Sequence, residues 1–362
     1  MGILRTILAL AVVVYHSYKI FGLRLCGGQV AVQSFYMISG FYMALVLNEK
    51  YKGRGFYKTF IISRFYRIFP VYWIVLLCAL AISVIGFYAF GKPYYLGRYI
   101  SNKDCLSFSS ILWFGLENII VLGQDILYFV RMNDLCEPTL VYNPLSFKHT
   151  GYQYLFVPQA WSISIECLFY LLAPWIVTKK LRWQLLLVLM SLLARYIFVT
   201  RFYLSFDPWT YRFFPFELAF FIAGSLAYRA YKWLETKQIS QWPGYSLLLV
   251  LIVLITLFNE LSMDEKTKTY GFYVLFLMAL PFIFYSFRNN RADRYIGELS
   301  FSIYIIHHLV VMLLRKQFFG NPDMLGYYGY VSIGITLLLA LAMQKWLVAP
   351  LDRYRHQRSL RQ

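Results

Sequence analysis

Arg5 and His16, eleven residues apart in the otherwise apolar run ILRTILALAVVVYHSY, are of types that could do chemistry together. Eleven residues are almost three helical turns, so both side chains project from one face, separated by about 16 Å along the axis. An ionisable side chain inside a membrane costs several kcal/mol, which makes each a functional candidate. Arg5 stands near the inner end of the run and His16 in its outer half. An imidazole that titrates near neutrality suits a general base, and a guanidinium fork matches a phosphate. Together they fit a long anionic donor admitted from the inner side. The competing reading is an arginine snorkelling to the interface beside a structural histidine.

Glu166, in WSISIECLFYLLAPW, falls about eight residues from the outer end of its apolar run, a depth comparable with His16. A carboxylate there would orient the imidazole or hold an acceptor; otherwise it is a structural partner for Arg195, which also falls in an outer half. Arg64 and Arg67 stand three residues apart at the inner mouth of another run, a spacing that shares one helical face. With Arg5 they are candidates for binding donor phosphates, against ordinary anchoring by positive charge. His307 and His308 occupy the middle of a further run, where a buried histidine is commonly a satisfied core residue. Five histidines without HxxxH or CxxC spacing argue against a metal site. GxxxxGK[ST], GxSxG and GxGxxG are all missing, so nucleotide hydrolysis and serine-hydrolase chemistry lack a motif.

The elements that must position these residues are membrane helices. Charged residues make up 14% of the chain, against about 25% in a soluble domain. Ten apolar runs approach the roughly 20 residues that a hydrocarbon core demands: 3–21, 29–48, 69–90, 158–178, 183–200, 213–231, 245–259, 271–287, 298–315 and 328–348. The first lacks a small-residue cleavage site and is expected to remain as a resident helix. The net charge of +18 follows topology rather than a nucleic acid partner. Of the Lys and Arg residues, 19 fall in the alternate connections 49–68, 179–182, 229–242, 288–296 and 349–362, Lys52 among them, and 13 in the other set, where acidic residues largely balance them. The positive-inside rule therefore places the first set and both termini in the cytoplasm. The expected fold is all-α, a polytopic membrane protein of about ten transmembrane helices, with residues 1–362 forming one domain.

One long interruption, 91–157, faces outward. Its apolar stretch 111–122 is too short to span and is expected to be re-entrant or to lie on the surface. Loops of this length are usually functional or flexible. Cys105 and Cys136 both fall in it, where a disulfide is chemically permitted. Tyr72 and Trp73 are expected at the membrane interface, and Trp113, Trp209 and Tyr211 are aromatic surfaces on which sugar rings could stack.

Five segments, in order, resemble the membrane acyltransferase-3 family. Arg5, ten intervening residues and His16 look like its Arg-x10-His signature. GGQVAVQSFYMISGF (27–41) resembles the Gly-rich start of its second helix, with Gln33 where many members carry Asp or Gln. SRFYRIFPVYW (63–73) resembles RxxRIxPxYW, WSISIECLFYLLAPW (161–175) resembles WSLSxExxFYLxxP, and IGELSFSIYIIHH (296–308) resembles GxxSYxxYLxH, with His307 in the place of the closing histidine. The resemblance covers essentially the whole chain, in the stand-alone form without a hydrolase-like C-terminal domain.

What the resemblance implies is transfer of an acyl group, usually acetyl, from cytoplasmic acyl-CoA to a hydroxyl of a cell-envelope glycan, of O-antigen or exopolysaccharide type, across a bacterial inner membrane. His16 would be the general base with Glu166 beside it; an acyl-histidine intermediate is the other route. Arg5, Arg64 and Arg67 would bind the CoA phosphates, and Trp161, Ser164, Gln33 and His307 the acceptor. The expected partners are the bilayer, the acyl-CoA donor (acetyl-CoA) and a free or lipid-linked glycan, with no permanently bound cofactor, no metal and no nucleic acid. A transporter or flippase for an anionic or glycan substrate would also want intramembrane charge; it would show inverted repeats or paired broken helices.

Overall fold

The computed structural model describes residues 1–51 and 53–353, so Lys52 and the last part of the 349–362 connection lie outside the described residues. The elements are α1 (Gly2–His16), α2 (Gly27–Glu49), α3 (Phe56–Phe90), α4 (Gly97–Ser101), α5 (Phe108–Ile120), a hairpin of β1 (Val130–Met132) and β2 (Pro138–Leu140), α6 (Trp161–Ile176), α7 (Leu181–Arg201), α8 (Trp209–Arg212), α9 (Phe214–Thr236), α10 (Trp242–Leu257), α11 (Glu265–Phe287), α12 (Arg291–Phe319), α13 (Pro322–Leu325) and α14 (Tyr328–Met343). The chain is thus almost entirely helical, and each of the ten apolar runs folds as a helix.

Seven of these helices are long and apolar enough to cross a membrane: those beginning at Gly27, Phe56, Leu181, Trp242, Glu265, Arg291 and Tyr328. Of the other three, α1 and α6 hold site candidates. α1 and α6 have 15 and 16 residues, and α9 carries Glu217 and Arg229 in its apolar stretch. All three pack inside the bundle, where polar side chains find partners that lipid cannot offer.

The first run breaks earlier than its hydrophobicity suggests. Ser17 directs both its backbone N–H (3.0 Å) and its hydroxyl (2.7 Å) at the Val13 carbonyl, its ψ of -100° leaves the helical region, and His16 becomes the last residue of α1. The third run, expected from residue 69, extends back to Phe56, so Arg64 and Arg67 belong to the same continuous helix through Pro70.

Small residues set the closest approaches. A Cβ on Gly297 would stand 2.6 Å from Gly2 Cα, so only glycine lets α12 rest on the start of α1. Gly40 and Gly224 play the same part between α2 and α9, facing the Phe221 and Met37 carbonyls. Close backbone approach of this kind is how membrane helices gain packing energy without a hydrophobic force between them. Asp293 seats α1 on α12: its carboxylate accepts from the backbone N–H groups of Gly2 (2.8 Å) and Ile3 (2.9 Å), an anion at a helix N-terminus where the dipole favours it. Thr6 donates to the Ile296 carbonyl at 2.7 Å. α1 and α12 therefore run parallel and in register.

The outer segment is a tied structure. Cys105 and Cys136 form a disulfide with a Cα–Cα distance of 5.6 Å. α5, 13 residues long, exposes Phe108, Leu112, Leu116 and Ile119 in the manner of a surface helix. Tyr72 and Trp73 hold its far end: the Tyr72 hydroxyl donates to the Asn118 carbonyl, Trp73 Nε1 donates to the Ile119 carbonyl at 2.9 Å, and Tyr72 is fully buried. Turns over 151–160 then descend into the bundle, where Gln159 donates to the Ile305 carbonyl of α12 at 2.6 Å.

Candidate active site

Arg5 opens on an inner cavity of about 400 Å³, lined by residues from α1, α2, α3, α6, α11 and α12. Five arginines border it: Arg5, Arg64, Arg67, Arg288 and Arg294. The Arg5 guanidinium lies 5.9 Å from the Tyr42 ring centre; that of Arg64 stands 5.8 Å from Phe60 and 6.0 Å from Tyr170. Such contacts hold a guanidinium plane in place. Three carboxylates share the lining, each with bonds of its own. Asp293 caps α1, Glu298 accepts from Gln344 at 2.9 Å, and Glu166 accepts from the hydroxyls of Ser39 (2.6 Å) and Tyr170. The cavity suits the phosphates of a nucleotide-bearing donor.

His16 gathers a second set of residues at the outer end of α1. Because α1 and α12 run in register, fourteen residues beyond Gly2 bring His16 to the level of the residue fourteen beyond Asp293, which is His307. The two ring centres are 5.2 Å apart, and that of His308 is 5.7 Å from His16. His307 is fully buried, with Nδ1 2.6 Å from the Tyr304 carbonyl; His308 Nδ1 lies 2.8 Å from the Tyr95 hydroxyl, so the outer loop reaches the cluster. His16 itself keeps an exposed surface. It is the last residue of α1.

An aromatic and cationic wall completes this outer side. Arg212 lies 3.9 Å from the Tyr128 ring centre, 4.2 Å from Trp161 and 4.8 Å from Tyr211, and Asp207 holds it through two bonds of 2.8 and 3.0 Å. Its field reaches His16.

Between the two sites stand Phe35 and Tyr304, ring centres 6.2 Å apart, both on the cavity lining. Tyr304 is held by Ser162 (2.6 Å) and by the Gln159 carbonyl, to which it donates at 3.2 Å. The cavity thus ends one helical turn short of His307.

The sequence-derived candidates separate accordingly. Arg5, Arg64, Arg67 and Glu166 meet in the inner cavity; His16, His307 and Trp161 belong to the outer side. Glu166 is not level with His16. The reason is the start of its helix: α6 begins at Trp161, already inside the bundle, and five residues carry Glu166 about 7.5 Å further inward. Nor does it pair with Arg195, whose carboxylate is Glu217 at 3.8 Å. Ser164 donates to Asp125 (2.6 Å) and accepts from the Gly123 N–H (2.9 Å), tying α6 to the outer loop. Gln33 is buried in the same network as Arg195: its amide donates to both Glu217 oxygens (3.0 and 2.9 Å) and accepts from Tyr273. Neither Ser164 nor Gln33 lines the inner cavity.

Tyr95, Tyr304, Arg212, Arg288 and Arg294 escaped the sequence reading, and His308 was weighed there only as a core histidine. The pair of adjacent histidines was a signal; the others belong to contacts across distant parts of the chain. Among the described residues no three His, Cys, Asp or Glu side chains are grouped to hold a metal ion, the clustered histidines included.

No curated protein and no solved structure matches the chain. A family described as an acyltransferase domain, acyltransferase-3, matches residues 1–343 of the 362. With seven helices long and apolar enough to cross a membrane among the described residues, a basic inner cavity and a histidine cluster on the matched segment, the chain belongs to the acyltransferase-3 family and is a multi-pass membrane acyltransferase.

Proposed function

We propose that this enzyme moves an acetyl group from cytoplasmic acetyl-CoA to a hydroxyl of a cell-envelope glycan across a bacterial inner membrane, with His16 as the general base. One observation carries the reading: a single helix holds Arg5 in an inner, arginine-lined cavity and His16 in an outer, aromatic-walled cluster. Phe35 and Tyr304 both line the inner cavity, and the Tyr304 ring centre is 5.7 Å from that of His307.

In this reading Arg5, Arg64, Arg67, Arg288 and Arg294 hold the phosphates of the donor, whose thioester arm passes Phe35 and Tyr304 as those rings turn aside. Trp161 and Tyr211 stack on the acceptor sugar. His16 removes the proton of the acceptor hydroxyl as its oxygen attacks the thioester carbonyl. The oxygen–carbon bond forms, the carbon–sulfur bond breaks, and the imidazolium returns the proton to the departing thiolate. Glu166, placed with Arg5 and bonded to Ser39 and Tyr170, shapes the donor channel rather than the base.

The test is acetyl transfer to envelope polysaccharide, followed by mass spectrometry, in cells carrying wild-type protein or His16→Ala. Loss of glycan acetylation with normal membrane insertion supports the reading. Full acetylation by His16→Ala removes the proposed base, and an unmodified glycan in wild-type cells removes the acceptor class.

A further inference from the structure

Two imidazoles face each other where α1 meets α12, and a backbone carbonyl places the proton on one of them. His307 Nδ1 lies 2.6 Å from the Tyr304 carbonyl oxygen. A carbonyl accepts and never donates, so Nδ1 carries the hydrogen and Nε2 keeps its lone pair. That Nε2 is buried and has no hydrogen-bond partner among the described residues. The ring beside it is His16, centres 5.2 Å apart and planes tilted by 38°. That separation is close to what an N–H···N bond of about 2.9 Å sets between two imidazoles, so a turn of the His16 ring closes one. His308 differs, because its Nδ1 meets a hydroxyl, which both gives and takes, and that bond leaves the tautomer open.

We propose that His307 is a positioning residue for His16: its Nε2 accepts the N–H of one His16 nitrogen, leaving the lone pair of the other free for the acceptor hydroxyl. This rests on the reading of His16 as the base. It gives His307 a task other than touching the acceptor, which its full burial opposes. The arrangement puts an imidazole in the place that a carboxylate takes in other base-orienting pairs. His307 is unchanged over the reaction. The proton travels from hydroxyl to His16 to thiolate, while the His16 N–H directed at His307 stays in place and supports the transient imidazolium.

The experiment uses the full chain in nanodiscs of phosphatidylethanolamine and phosphatidylglycerol, with nitrogen-15 histidine and acetyl-CoA as donor. Nitrogen chemical shifts report each tautomer without requiring turnover. The wild-type protein is expected to show His307 protonated at Nδ1 and His16 in one tautomer; His307→Leu mixes the His16 tautomers. His307→Gln, whose amide oxygen reaches the position of Nε2, restores the single form, whereas His307→Asn does not and serves in place of the leucine variant if that fails to fold. In turnover on isolated envelope glycan, His307→Leu or His307→Asn lowers kcat by about 100-fold with an unchanged KM for acetyl-CoA, and His307→Gln stays within about tenfold of wild type. The proposal is overturned by an unaltered His16 tautomer in His307→Leu, by turnover within about twofold of wild type, or by glutamine and leucine variants that are equally slow. Should the wild-type protein transfer no acetyl group, the acyl-transfer reading falls while the nitrogen shifts still decide the pairing.

Discussion

Gly2 of α1 rests directly on Gly297 of α12, and this contact sets how closely the helices bearing His16 and His307 approach. A Cβ on Gly297 would stand 2.6 Å from Gly2 Cα, a distance that real Cβ atoms do not keep. Gly297→Val must therefore push the helices apart at their inner ends. Overpacking costs about 1–3 kcal/mol, so the melting temperature in detergent should fall by several degrees and acyl transfer should fall with it. Melting and turnover equal to wild type would show that the register does not depend on this contact.

The arginines at the cavity mouth give a second expectation. Charge-assisted bonds from a guanidinium to phosphate are among the stronger polar contacts. Arg64→Gln and Arg67→Gln should each raise the KM for acetyl-CoA by about tenfold and change kcat at saturating donor by less than about threefold. Steady-state kinetics over donor concentration separates this from topological anchoring, which would leave KM alone and lower the amount of inserted protein.

Glu117 lies on α5, outside the spanning helices. Burial raises its carboxyl to about 7, with Asp125 adding to the rise and a bond from Trp113 opposing it. One of its oxygens, Oε2, has no partner among the described residues. A carboxyl raised above its unfolded value favours the protonated folded form, so stability is greatest below the unfolded pKa of about 4.3 and declines as pH rises towards 7. Limited proteolysis of the 91–157 segment should be slower at pH 5 than at pH 8, and Glu117→Gln should flatten that difference. A wild-type segment cleaved equally at both pH values would contradict it.

The Cys105–Cys136 bridge closes a separation of 31 residues, for which loop entropy predicts about 3–4 kcal/mol of stabilisation. Cys105→Ser should loosen the outer segment, seen as faster hydrogen exchange over α4, α5 and the hairpin, with the inner cavity's affinity for acetyl-CoA unchanged. Because Tyr95 reaches His308 from this segment, turnover should also decline. Unaltered exchange would limit the bridge to a bystander.

Much of the architecture was legible because it is written locally. Apolar runs of membrane length, the alternation of basic connections and the spacing of Arg5 and His16 depend on neighbours a few turns away, and each run folds as a helix. The ends were less legible. α1 stops at His16 because of the Ser17 conformation, and α3 continues back to Phe56 through a stretch dense in basic residues.

The depth of Glu166 shows where local reading fails. By hydropathy its run begins at the outer face, yet a bond between Gln159 and Ile305, 146 residues apart, draws the preceding turns into the bundle and lowers α6 towards Arg5. Arg195 chose Glu217 for a similar reason: both lie on helices that pack on each other.

The sequence by itself determined that the chain is a helical membrane protein with a cation and an imidazole on one stripe of its first helix, since periodicity and hydropathy are properties of short segments. The tertiary structure alone decided which groups those two meet. The arginine cavity, the three-histidine cluster and the Arg212 wall assemble from helices hundreds of residues apart, and their register is set by backbone contacts such as that of Gly2 with Gly297, which no run of side chains announces.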